Sequence, residues 1–414
     1  MNLKKYEITE NLLVLVIFPA VVGVITGLLV GAFSWIIEEK GLGMFAAEKS
    51  WWIVCVPLAV LPATWIVNKF ITRTYSPSTS ELYIEVYHDS EKRLPLLQTP
   101  GRLLAGAATV FFGGAQGLES PSTLLGASAG NIFERSFRQF FKGNRKGLLL
   151  TAGASAGIAA VFSSPGAGAM FGLEAPFRRG MDIKAFVPAL VAAGCSYTAN
   201  VFVRGPTPLV PMGSIEKIDL IVVVSVLALA FTCGIGARLV AYSASCARQL
   251  AKKSLPWQRI VYGSIPLVLL AFIGFLFTGV WVTFGPGNIA VQWALEEPRL
   301  IGLLIIAVVT HTVGTLFCIY GGGGGGVFRS LAAAGALIGQ ITAVIIGSAG
   351  NNIFPLIGMA CFLSAGYRIP LAGLFLIAEG TGNINCIVLG LVAIAISQVC
   401  MGNATIAPAQ KNTN

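Results

Sequence analysis

A single acid, Glu119, stands within the stretch GGAQGLESPSTLLGASAG (Gly113–Gly130), which contains no base. An isolated carboxylate in apolar surroundings is costly, so it must either be neutral or lie against groups that bind anions. The start of a helix supplies such groups: its first N–H donors have no partner within the helix, and its dipole adds roughly half a positive charge. The same donors would hold an anion from solution. A second stretch of this kind, YGGGGGGVFRS (Tyr320–Ser330), sets six consecutive glycines before an apolar run. Inside a helix each would cost about 1 kcal/mol against alanine. They suit a loop whose N–H groups approach an ion just before a helix begins at Val327 or Phe328. The chemistry on offer is anion binding beside a resident, protonatable acid. Metal chemistry is not: the eight cysteines form no CxxC pair and the two histidines, His88 and His311, lack ligand spacing. No metal, cofactor or disulfide is expected.

The elements that must position these residues belong in lipid. Of the 414 residues, 55% are hydrophobic and 11% charged, with a mean hydropathy of +0.78; a water-soluble domain carries about 25% charged residues. Apolar runs at 12–37, 51–67, 220–240, 260–282 and 300–318 approach or exceed the roughly 20 residues that a crossing needs. Lys4, Lys5, Glu7 and Glu10, with no prompt small-residue cleavage site, argue against a cleaved signal peptide. The net charge of +10 lies in short loops such as RSFRQFFKGNRK (135–146) and Arg178–Arg179, not in one basic stripe. It marks cytoplasmic loops or an anion-attracting vestibule, and no nucleic-acid partner is expected.

The chain also contains itself twice. GASAGIAAVFSSPGAGAMFGLE (Gly153–Glu174) matches GMACFLSAGYRIPLAGLFLIAE (Gly358–Glu379): in each, a proline follows the first glycine by twelve positions and a glutamate follows the proline by nine. Upstream, Gly117, Gly126 and Gly130 have the spacing of Gly326, Gly335 and Gly339. Two matches in one order indicate a duplicated membrane fold. Several apolar segments (103–112, 122–133, 166–173, 327–338) are too short to span, and such breaks survive at membrane depth only inside protein or against a water-filled cavity. Gly126-x-x-x-Gly130 and Gly335-x-x-x-Gly339 read as close helix packing. The expected organisation is a cytoplasmic segment 1–10, a first membrane repeat 11–203, a linker 204–216, a second repeat 217–400 and a short tail 401–414.

These residues resemble the CLC family of chloride channels and proton-coupled chloride exchangers. The family's G-R-E-G-P resembles Gly117-Leu118-Glu119-Ser120-Pro121, and its G-x-F-x-P resembles Gly326-Val327-Phe328-Arg329-Ser330. The likeness runs over about residues 11–400. It implies an all-α integral membrane protein with an inverted repeat and re-entrant half-helices, a homodimer with one pore per chain, and a bacterial-type inner (plasma) membrane location. It implies that Glu119 gates the pore and accepts protons, and that Ser120, Gly326, Val327 and Phe328 bind the anion with Ser78; Thr79 or Ser80 would take the serine's role after a short slip. Chloride or a similar anion, and protons, are the expected partners. The dimer faces would be 183–203 and 384–401, with Ala192, Ala193 and Gly194 admitting close approach.

Four positions depart from the family. Leu118 replaces the arginine, while Arg329 adds one in the opposing motif, either beside the site or towards lipid headgroups or a neighbouring loop. Ser330 replaces a proline and suits an N-terminal cap. Ala175 stands where exchangers carry an inner proton-transfer glutamate, with Glu174 beside it as an inner proton path. Ile406 occupies the place of the pore tyrosine. Fluoride is an alternative substrate, and a passive channel an alternative mechanism. An intramembrane hydrolase would need Ser128 or Ser155 paired with His311; the duplication has no role in that chemistry, and no enzyme activity is expected.

Overall fold

The computed structural model describes residues 8–48, 50–72, 79–89, 94–206, 210 and 218–412. It is helical almost throughout. The first long helix includes α1 (Phe18–Ser34), which continues as π-helix through Trp35–Leu42. The rest of the first half is α2 (Val60–Val67), α3 (Thr79–His88), α4 (Thr99–Phe111), α5 (Glu119–Ser136), α6 (Leu148–Phe162), α7 (Pro165–Glu174) and α8 (Phe186–Arg204). The second half holds α9 (Leu220–Lys253), α10 (Pro256–Thr278), α11 (Asn288–Glu296), α12 (Ile301–Gly321), α13 (Phe328–Ile345), α14 (Ile353–Tyr367), α15 (Pro370–Thr381) and α16 (Ile384–Met401). The one β pairing described is β1 (Phe177–Arg179) with β2 (Lys411–Asn412), in parallel. Eight helices among the described residues are long and apolar enough to cross a membrane.

The duplication is visible in the packing. At α5 the N–H-bearing backbone runs so close to α6 that a Cβ on Gly126 or Gly130 would strike the carbonyls of Gly153 or Leu149. In the second half Gly335 and Gly339 stand in the same way against Gly358 and Phe354. Only glycine admits these approaches, and the two pairs fix how α5 meets α6 and α13 meets α14. Helices α6 and α14 are buried along every residue, as their uniformly apolar sequences require. At 15 residues each they span about 22 Å, short of a 30 Å hydrocarbon core. They end inside the protein, each on a left-handed residue that is not glycine: Ser163 (φ 52°) and Arg368 (φ 58°). Both lie two positions before the matched prolines, so even the strained turn is repeated.

Candidate functional site

Glu119 begins α5 and Phe328 begins α13. The two helix starts are tied together by a two-hydrogen-bond bridge: Gly117 N–H donates to Gly326 O (2.9 Å) and Gly326 N–H to Gly117 O (2.7 Å). The matched glycines therefore face each other across the repeat. A Cβ on either would overlap the Glu119 carboxylate, so their small size makes its room. Glu119 is 1% exposed, and its Oε1 accepts from the main-chain N–H of Arg329 (3.1 Å), in the first turn of the opposing helix. Its Oε2 has no hydrogen-bond partner among the described residues.

Some expected donors are placed differently. Gly326 N–H is used by Gly117, Gly325 N–H by Gln116 Oε1 (3.2 Å) and Gly324 N–H by Thr109 Oγ1 (2.9 Å). The glycine loop thus does not present these groups to an ion. Its glycines are needed for packing: a Cβ at Gly321 would meet Leu61, and at Gly324 the backbone of Ala105 and Gly106. The donor that reaches Glu119 is one residue past the Val327–Phe328 pair, because α13 points the N–H of its second residue at the carboxylate. Ser330 is not an N-terminal cap; its hydroxyl donates to Ala115 O (3.0 Å) and pins α13 to the first repeat. Leu118 is buried in an apolar cluster with Leu42, Trp281 and Phe284.

Arg329 is buried, so the lipid-headgroup role is ruled out. Its Nη1 bonds Glu38 Oε1 (2.5 Å), and its Nε lies 3.9 Å from Glu119 Oε1. Arg204 Nη2 stands 3.5 Å from the other Glu38 oxygen and its Nε bonds Glu39 (2.7 Å). A buried chain of charges, Arg204–Glu38–Arg329–Glu119, runs away from the site. Sequence reading missed Glu38 and Arg204. The signal was the EE pair placed just after an apolar run, in WIIEEKG.

A pocket of about 20 Å³ lies under the paired helix starts, lined by Ser120, Gly325, Val327, Gln116, Tyr367 and Ile406, with Glu81 and Arg248 among its other walls. That is room for one water-sized particle. Ile406 and Tyr367 both line it, so a tyrosine from the end of α14 stands beside the isoleucine that occupies the tail position. Phe328 does not line it. Its ring packs edge-on to Phe162, Phe171 and Tyr367, with centroids 4.5, 5.1 and 5.2 Å away. Ser78 lies outside the described residues.

Glu174 sits elsewhere. Its two oxygens accept from the N–H groups of Leu371 (3.0 Å) and Ala372 (2.9 Å), at the start of α15. Its repeat-mate Glu379 returns the contact, accepting from Gly166 N–H (2.6 Å) and from the Ser164 hydroxyl at the start of α7. The hydrolase pairing does not form. Ser128 lies 3.4 Å from Thr99 and the Ser155 hydroxyl donates to Ala169 O, whereas His311 is packed beside Gly287.

A family model described as voltage gated chloride channel matches residues 58–402. The chain belongs to this family. Over 403 residues it is 27% identical to the H(+)/Cl(-) exchange transporter ClcA of Klebsiella pneumoniae subsp. pneumoniae, covering 90% of this chain and 82% of that one. It is 26% identical to ClcA of Yersinia pestis bv. Antiqua, covering 95% and 84%. Its fold is similar to a CLC-type fluoride/proton antiporter (TM-score 0.80, 23% identity, 95% and 98% covered). It is also similar to a slow cyanobacterial Cl-/H+ antiporter (TM-score 0.77, 20% identity, 94% of each). The chain is thus a multi-pass, all-α membrane protein with the family's inverted repeat.

Proposed function

We propose that the chain moves chloride or a similar small anion across the cell's inner (plasma) membrane, with Glu119 as gate and proton acceptor. The observation that carries this is the half-held carboxylate. Glu119 stands where two helix starts meet, bound by one N–H and with its second oxygen unpartnered among the described residues. Its charge occupies the field that would hold an anion in the pocket at Ser120 and Val327. Protonation removes that charge, frees the donor and lets an ion take its place. Relatives named as H(+)/Cl(-) exchangers support coupling to protons. The Ser120 and Val327 end of the pocket is the anion path, with Ser78 as a further anion-binding serine. Ala175 stands where the inner glutamate would be and both Glu174 oxygens are held by main-chain N–H groups, which leaves the inner proton route to water, so we read the exchange as loosely coupled.

Liposome flux tests this directly. Protein reconstituted under chloride, fluoride or potassium gradients should pass the halide and not potassium, with proton uptake on an outward anion gradient. Potassium flux would overturn the reading, and halide flux without proton movement would make the protein a passive channel.

A homodimer with one pore per chain accompanies this reading. Val187, Leu190 and Phe202 on α8, and Ile384, Val388 and Leu391 on α16, form outward apolar faces. Ala192 and Ala193 do not belong to them: both are buried, and Ala192 meets Gly23 of α1 within the chain. Mass measurement in mild detergent should give twice the 43.4 kDa chain.

A further inference from the structure

A second cavity, of about 790 Å³, opens where α7 ends and α15 begins. It shares no lining residue with the pocket beneath Glu119. Its walls carry four arginines, Arg178 and Arg179 from β1, Arg238 from α9 and Arg368 from the turn after α14, against one acid, Glu174. That acid is occupied, since both its oxygens accept from main-chain N–H groups. Arg368 is fixed in place: its Nε donates to Arg178 O (3.2 Å) and its Nη2 to Gly402 O (2.5 Å). Arg178 Nε is buried with no hydrogen-bond partner among the described residues. A neighbouring space of about 530 Å³ shares three of the arginines and Asn403 with it and adds Asn412.

Four guanidinium groups line one open cavity against a single acid whose oxygens are already engaged, and an anion among them would offset their mutual repulsion. A single halide is too small to meet several of them, whereas phosphate oxygens match guanidinium forks two at a time. The volume is that of an ordinary small-molecule site, about 300–1,000 Å³. One wall is apolar and turned outward, with Val399 80% exposed on α16 and Tyr242 54% exposed on α9. We propose that this cavity binds a phosphate-bearing anion through Arg178, Arg179 and Arg238, on a floor set by Arg368. The ligand comes from a phospholipid headgroup whose chains lie along Tyr242 on α9, outside the α16 face proposed for the dimer, or from a soluble phosphate ester. The site stands independently of the anion-gate reading.

The test uses full-length protein in detergent, titrated with sodium pyrophosphate, and in parallel protein offered phosphatidylglycerol or phosphatidylcholine vesicles. Binding is read by thermal unfolding and by native mass spectrometry. Pyrophosphate alone raising the midpoint assigns a soluble ligand; phosphatidylglycerol retained over phosphatidylcholine assigns the headgroup. In either case Arg178→Gln with Arg238→Gln should weaken binding about tenfold or more, since each charged hydrogen bond contributes at that scale. Arg135→Gln with Arg138→Gln, on exposed arginines elsewhere, should change nothing. If the double variant fails to fold, Arg238→Gln alone carries the test, because Arg238 is exposed and holds no backbone. Binding equal in the cavity variants and the control pair, or no binding of either probe, overturns the proposal.

Discussion

Three carboxylates among the described residues end up at the start of a helix from the other repeat, and they are held in two ways. Glu174 gives both oxygens to the first N–H groups of α15, and Glu379 mirrors it on α7. Glu119 gives one oxygen to α13 and leaves the other without a hydrogen bond among the described residues. The symmetric pair is saturated; it satisfies helix ends that would otherwise be buried without partners. The asymmetric one is poised. Saturation makes a cap, and an oxygen left without a donor is what the proposed gate requires. The duplication pairs Glu174 with Glu379, whereas Glu119 has Phe328 at its matched position and Arg329 stands opposite Ser120, so the site at the paired helix starts is asymmetric.

The largest test of the contrast is Glu119→Gln. A neutral side chain of the same shape cannot carry a proton or compete by charge for the site. Wild-type flux should rise as pH falls, since protonation removes the competing charge, and the variant's flux should run at every pH without that rise. Liposome flux measured over a pH series decides it; a variant that still responds to pH would show that another group is the gate. Next comes Arg329→Gln, which leaves Glu38 and Glu119 as buried charges lacking their shared cation. Removing one member of a buried ion pair costs about 3–5 kcal/mol, seen as a lowered unfolding midpoint in detergent. Adding Glu38→Gln should recover part of the loss, and no recovery would mean that the arginine stabilises by packing alone.

Glu174→Gln sharpens the comparison from the other side. Its amide nitrogen would face a main-chain N–H, donor against donor, at a cost of about 1–3 kcal/mol. Thermal stability should fall while the pH profile of flux stays as in wild type; a flattened profile would restore Glu174 to the proton path. The smallest effect is at the repeated turn. Ser163→Gly relieves a left-handed residue and should stabilise by about 1 kcal/mol, measured as a small upward shift in the midpoint. A loss of stability there would mean that the side chain contributes more than its strain costs.

The repeat, the helix starts and the close glycine approaches were legible in the sequence because each depends on local spacing. Gly126 and Gly335 sit where they do for contact with a single neighbouring helix, and twelve-residue and nine-residue intervals survive any tertiary rearrangement. The site was legible only in part. Glu119 stood out by being alone, but Glu38 is about 80 residues upstream, and its partner Arg329 comes 210 residues after Glu119. No local pattern joins such residues. The glycine loop misled for a related reason: glycine reports only that a Cβ is forbidden, and cannot say whether the intruder is an ion or, as at Gly321, the side chain of Leu61.

The π-helical stretch Trp35–Leu42 has a consequence for how such a site can arise. Its hydrogen bonds reach one residue farther than those of an α-helix, so it holds one residue more than the same turns would otherwise need. Removing that residue would swing everything beyond it by about 100° around the axis. Glu38 would then turn from the arginines towards another face of the helix. The inward anchor for Arg329 is therefore a matter of phase on a helix surface: one residue fewer ahead of Glu38 would carry the acid from the interior towards the periphery.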